Sequence, residues 1–187
     1  PAVLFVALAA AAALWLFGSG YAAEPFPKHF SVEPTSLLPK FVLLALAVPV
    51  LLISRDEFAE TPYYTLVLAS LYGACLIVSS DSFPTLFLGI EIMSLPVYAL
   101  VLLGLVRRES PEAALKYLVL GGAATATLLM GIAMLYGWSS SMQTGVFGGA
   151  LASTDPLALA GVALITAALF LKAAVVPFHA WAPDAYE

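Results

Sequence analysis

Three charged residues stand inside stretches that are otherwise apolar. Glu91 interrupts LFLGIEIMSLPVYALVLL (86–103), Lys116 lies in SPEAALKYLVLGG (110–122), and Lys172 lies in LFLKAAVVPFHAWAPDAYE (169–187). A charge at a bilayer centre costs roughly 2.5–3.5 kcal/mol on insertion scales, so such residues face a bundle interior or a water-filled cavity and mark ion or proton paths. Burial disfavours the charged form of a carboxyl and of an amine alike, whereas a partner of opposite charge favours it in both. A Glu and a Lys in such surroundings can exchange a proton when a third charge approaches or leaves. The alternative for Glu91 and Lys172 is a purely structural buried ion pair. Lys116 lies only some four residues into its helix, so its amine can instead snorkel to the surface. His179, two residues after Pro177, titrates near neutrality when unperturbed and can relay protons. It can equally serve as a hydrogen-bonding group at headgroup level.

Helix breakers accompany these groups. Pro96 follows Glu91 with Ser94 between them, and Pro177 and Pro183 follow Lys172. Proline removes a backbone donor and frees a carbonyl, which a membrane tolerates where polar partners or water replace the bond. Broken helices of this kind form ion sites in transporters. Breaks are therefore expected near Pro96 and Pro177, and a kink at Pro49. At about 1.5 Å per residue, Glu91 lies roughly 10 Å and Lys172 roughly 22 Å along its helix.

The elements that must position these residues are helices. Of 187 residues, 62% are hydrophobic and only 10% are charged, against about 45–50% and about 25% in soluble domains. Apolar segments run over roughly 1–17, 37–54, 62–79, 84–106, 112–137 and 157–177. Each approaches the ~20 residues that a helical span needs, and only helices or closed barrels satisfy their backbone in lipid. The runs are long and continuous rather than alternating, which excludes a barrel. The fold class is an all-α polytopic membrane protein with about six transmembrane helices. Ser110-Pro111-Glu112 and Asp155-Pro156 are helix starts. Gly121, Gly122, Ala123, Ala124, Ala126 and Gly131 suit close helix packing. Trp15 and Trp138 sit near span ends, where indoles belong at headgroup level.

Charge excludes other classes. Seven Lys+Arg against twelve Asp+Glu give a net charge of −5, with no basic face for a nucleic acid. One cysteine, Cys75, makes neither an internal disulfide nor an Fe–S site, and no nucleotide-binding loop or HExxH occurs. No redox centre is expected in this chain. Arg55, Arg107 and Arg108 fall on one side of the alternating spans, and Lys28 and Lys40 on the other. Two connectors on that second side have no basic residue, so the 55 and 107–108 connectors are expected to be cytoplasmic. The sequence starts without Met in an apolar run and stops after a polar one, and reads as an internal fragment of a longer protein.

The three quoted stretches resemble the antiporter-like membrane subunits of respiratory complex I, the proton-pumping NADH:quinone oxidoreductase. EIMSLPVYAL followed by EAALKY favours the subunit N branch. The resemblance implies about fourteen helices in two inverted five-helix repeats, of which residues 1–187 would form a partial transmembrane domain, the second to the seventh helix, the seventh being broken. It implies that Glu91 is the family's glutamate on the fifth helix, Lys172 the central lysine of the seventh, and Lys116 a lysine at the start of the sixth. His179 would be the histidine of the PFHxWxPD motif, and Glu91 and Lys172 would lie near one another. The implied function is a translocase subunit that couples quinone reduction elsewhere to proton transfer. NAD, FMN, Fe–S clusters and quinone would belong to partner subunits. Its partners would be other membrane subunits, lipid and protons. The site would be a bacterial inner membrane or, alternatively, an organellar energy-transducing membrane. A subunit of a cation/proton antiporter or of a membrane-bound hydrogenase shares the same core motifs.

Overall fold

The computed structural model describes residues 1–54, 61–103, 110–179 and 181–183. Arg55, Arg107 and Arg108, on which the expected orientation rests, lie outside the described residues. In chain order the elements are α1 (Ala2–Gly18), β1 (Ala23–Phe26), β2 (Phe30–Val32), α2 (Pro34–Ile53), α3 (Thr61–Val78), α4 (Phe83–Leu103), α5 (Ser110–Ser139), α6 (Val146–Leu151) and α7 (Pro156–Lys172). The six apolar segments all form helices. Within α2, α4 and α5, the stretches Pro34–Ile53, Phe83–Leu102 and Ala114–Ser139 are long and apolar enough to cross a membrane. The other three, α1, α3 and α7, are shorter apolar helices. At 17 residues each, α1 and α7 sit at the lower end of the ~17–25 residues that span a bilayer.

The chain forms two compact units, Pro1–Val97 and Tyr98–Glu187. In the first, Val6 of α1 packs with Ala47 and Leu51 of α2, and α3 adds Tyr64, Leu68 and Leu71 to the same cluster. The outward faces remain apolar; Leu46 and Ile53 are well exposed, as expected of helices that meet lipid or other helices rather than water. The α1–α2 connector folds into an antiparallel hairpin, with Ala23 opposite Val32 and Phe26 opposite Phe30. This hairpin docks on the α3–α4 connector. The Ser31 amide donates to the Ser79 carbonyl at 3.1 Å, the Asp81 amide donates to the His29 carbonyl at 3.1 Å, and His29 Nδ1 pairs with Ser82 Oγ at 2.9 Å. The Lys40 ammonium lies 5.1 Å from the centre of the Phe30 ring.

The helices α3 and α4 meet through their backbones. A methyl group on Gly73 would collide with the Met93 amide nitrogen and lie 2.8 Å from the Gly89 carbonyl oxygen. Ser70 Oγ donates to the Met93 carbonyl at 3.0 Å, a hydroxyl-to-backbone link across the two helices. Contrary to the expected break, α4 runs through Pro96 without interruption; α2 is also continuous through Pro39 and through Pro49, the site of the expected kink. Each proline removes a single intrahelical donor, and neighbouring hydroxyls and helices make up for that loss in a membrane.

In the second unit α5 lies along α7. The buried positions of α5 are Gly121, Ala124, Leu128, Gly131, Ile132 and Leu135, spaced by three and four residues as one helical face requires. Gly131 and Gly161 let the two backbones approach, since a Cβ on Gly131 would lie 2.9 Å from the Gly161 carbonyl oxygen. Gly121, Ala124 and Gly131 thus serve the close packing expected of them, whereas Gly122 has nothing within 4 Å of an added Cβ. At the start of α7 Asp155 caps the helix, accepting the Leu157 amide at 2.7 Å and the Ala158 amide at 3.4 Å. Substituting such a cap typically costs about 1 kcal/mol.

Candidate proton-transfer site

Glu91 is the ninth residue of α4, about 12 Å along the helix from its start. Gly89 and Met93, which meet α3, lie two residues either side of it, so at about 100° per residue Glu91 points away from α3. Its side chain is half-buried. One turn on, Ser94 is buried and its Oγ donates to the Ile90 carbonyl at 2.7 Å. Pro96 contributes no amide, which leaves the Ile92 carbonyl without its usual helical donor. The turn that carries the carboxyl is thus held from the α3 side by Gly73 and Ser70, and its polar groups are a carboxyl, a hydroxyl and a freed carbonyl.

Lys172 is the last residue of α7, not a residue of the helix interior. The expected break therefore precedes Pro177: the helix stops five residues earlier than its proline. Its physical basis is a C-terminal cap in which the Val175 amide donates to the Phe170 carbonyl at 2.9 Å and the Ala174 amide to the Leu171 carbonyl at 3.4 Å. This is the Schellman arrangement, which needs a left-handed residue just past the cap. Ala174 takes that position with φ 52°. Glycine would adopt it freely, whereas a residue with a Cβ pays roughly 1–2 kcal/mol. The half-buried Lys172 side chain thus stands at the carbonyl end of a helix, where a cation is stabilised by about 0.3–1 kcal/mol.

The chain beyond the break folds back on the helix it has left. Trp181 is buried, and its indole Nε1 donates to the Leu171 carbonyl at 2.8 Å. Its ring stacks on Tyr117 of α5 with centroids 4.4 Å apart and planes 6° from parallel. Tyr117 in turn meets Tyr98 edge to face at 4.5 Å and 88°. Such pairs contribute about 0.5–1.5 kcal/mol each beyond their burial. Gly121 makes room for the row, because a Cβ there would run into the Tyr98 hydroxyl.

Lys116, the neighbour of Tyr117, pairs with Glu112 at 3.0 Å one turn earlier on α5, and both side chains are largely exposed. A pair of this order and spacing contributes about 0.3–0.5 kcal/mol. The pair ties Lys116, in the second turn of α5, to Glu112 in the first. His179 lies exposed beyond the break, its carbonyl accepting the Ala182 amide at 3.0 Å. Of the residues singled out in the sequence, Glu91 belongs to the first unit, and Lys116, Lys172 and His179 to the second. Sequence reasoning passed over Trp181 and Tyr117; the signal available was an indole donor and a phenol ring beside two lysines. Among the described residues no group of three or more His, Cys, Asp and Glu is placed to hold a metal.

Apolar helices, one with a carboxyl in its interior and one with a lysine at its end, define a polytopic helical membrane protein. The chain belongs to the family described as NADH:quinone oxidoreductase/Mrp antiporter, TM, which matches residues 80–187. It is 35% identical over 169 residues to the NADH-quinone oxidoreductase subunit N of Pelobacter propionicus, covering 90% of this chain and 36% of that protein. The fold is similar to a chain of respiratory complex I from Thermus thermophilus, with a TM-score of 0.84 at 32% identity, covering 99% of this chain and 40% of that one. A chain of the Mrp complex from a Dietzia species shares the fold, with a TM-score of 0.80 at 24% identity over 99% of this chain and 38% of that one. The sequence thus spans well under half the length of the proteins it matches.

Proposed function

We propose that this chain is part of a proton-translocating membrane subunit of an NADH:quinone oxidoreductase, of the subunit N type. It is redox-silent itself and is driven by quinone reduction in partner subunits that carry NAD, FMN, Fe–S clusters and quinone. Its membrane is the bacterial inner membrane. The observation that carries the reading is the position of Lys172, at the strained end of α7, in a chain whose α4 carries Glu91 among apolar residues. Glu91 and Lys172 are the principal proton carriers, and Lys116 and His179 extend the path. A lysine where a helix ends can lose a proton to, and regain it from, water or polar backbone beside the break. A third positive charge drawn near it promotes that loss. Neither step asks the chain for redox chemistry.

A purification tests the assignment. Full-length protein carrying residues 1–187, tagged in its native membrane and solubilised mildly, is expected to bring down partners that contain flavin and iron and reduce quinone with NADH. Recovery with other membrane subunits alone, and with no quinone-reductase activity, would favour a cation/proton antiporter or a membrane-bound hydrogenase instead.

Orientation is a second expectation. At 30 residues, α5 is about 45 Å long, so Ser110 at its start and Ser141 just past its end belong to opposite faces. Lys/Arg asymmetry puts Ser110 on the cytoplasmic face. In a Cys75→Ala background, a membrane-impermeant maleimide added to intact cells is expected to label Ser141→Cys and to spare Ser110→Cys. The reverse pattern would invert the topology.

A further inference from the structure

We infer that Trp181 is a positioning residue for Lys172: its indole caps the Leu171 carbonyl and its ring, stacked on Tyr117, ties the break after α7 to the first turns of α5. The inference rests on the reading of Lys172 as a proton carrier. A helix leaves its last carbonyls without intrahelical partners, and here the backbone alone serves Leu171 poorly. The Ala174 amide reaches that carbonyl at 3.4 Å, whereas the Trp181 indole reaches it at 2.8 Å. Ala174 is in the left-handed region, φ 52°, which a side chain resists; the cap at Leu171 helps to hold that turn closed. Lys172 is the next residue in the chain, so the position of its ammonium follows the turn.

A membrane tryptophan ordinarily anchors a helix at the headgroup level, half in water. Trp15, 72% exposed, has the exposure of that role; Trp181 is 5% exposed, with its donor directed at backbone. Its partner ring belongs to Tyr117, the residue after Lys116. One indole therefore touches the turn that precedes Lys172 and the turn that carries Lys116, and a shift of either is felt by the other.

The full-length subunit in its assembled complex provides the test. Trp181→Phe keeps a ring to lie on Tyr117 and removes the donor; Trp181→Ala removes both. Amide hydrogen exchange over residues 173–175 reports the turn, and proton pumping in proteoliposomes across the neutral range reports Lys172. Trp181→Phe is expected to speed exchange at Ala174 and Val175 about three- to tenfold, the scale of one lost hydrogen bond, and to displace the pH profile of pumping while the complex assembles normally. Trp181→Ala is expected to do both to a larger extent. Unchanged exchange in Trp181→Phe would overturn the inference, as would faster exchange with a wild-type pH profile. Lys172→Ala runs alongside: full pumping there would overturn the role of Lys172 and this inference with it, whereas lost pumping there with a wild-type Trp181→Phe would overturn this inference alone.

Discussion

Replacing Lys172 with alanine is expected to cut proton pumping by the assembled complex on the order of 10²-fold, the scale on which positioned acid–base groups act. The ammonium stands at the end of α7, where the chain accepts a left-handed alanine and the helix carbonyls favour a positive charge. An alanine keeps the turn and removes the proposed carrier. Lys172→Arg keeps a positive charge, but a guanidinium does not give up its proton in a protein. It is therefore expected to assemble well and pump poorly, which separates proton exchange from charge alone. Glu91→Gln is expected to resemble Lys172→Ala, and Glu91→Asp, which keeps an ionisable carboxyl one methylene shorter, to retain part of the activity. Quinone reduction and pumping, measured together in proteoliposomes after assembly has been checked, give these effects directly. Lys172→Arg pumping as wild type would show that the residue supplies charge and not protons.

The second large effect belongs to Gly73, which is not itself a proposed proton carrier. Its α-carbon lies against the turn of α4 that carries Glu91, and a Cβ would fall 2.8 Å from the Gly89 carbonyl oxygen and 2.8 Å from the Ile92 carbonyl carbon. All of these neighbours are backbone, so no side chain can swing aside and α4 itself must move. Overpacking usually costs about 1–3 kcal/mol where side chains yield; against backbone the cost is at the top of that range or beyond. Gly73→Val is expected to lower the yield of assembled complex severalfold, to depress its thermal midpoint, and to break the bond from Ser70 to the Met93 carbonyl. Gly122→Ala, where an added Cβ meets nothing within 4 Å, is expected to leave both unchanged. A normal yield for Gly73→Val would mean that the contact between α3 and α4 does not hold the Glu91 turn in place.

Hydropathy made the six apolar helices legible, because an apolar run that approaches the length of a bilayer span has few alternatives to a helix. Charge singled out Glu91 and Lys172 in the sequence for a related reason: each would be costly in the interior of an apolar span. The hairpin was not legible. Its strands are four and three residues long, the first interrupted by Pro25, and they are held by contacts with Ser79, Asp81 and Ser82 some fifty residues away. The end of α7 was misplaced by five residues. LKAAVVP contains no glycine, and the residue that adopts the left-handed cap is an alanine with no local mark of that role. Helix α6 is six residues of small and apolar side chains in a connector, too short to show a period. Trp181 escaped notice because pattern reading treats an aromatic in a motif as packing, whereas its part here comes from a single N–H and its direction.

Glu91 and Lys172 are proposed to act as one functional unit, and coupled residues betray themselves by failing to add. The direct measurement is proton pumping by the assembled complex in proteoliposomes, with wild type, Glu91→Gln, Lys172→Ala and the double variant reconstituted at equal protein. Each single variant is expected to lose most pumping, and the double variant to pump no worse than the lower of the two. Full pumping in both single variants would contradict the account and leave Glu91 and Lys172 as structural charges.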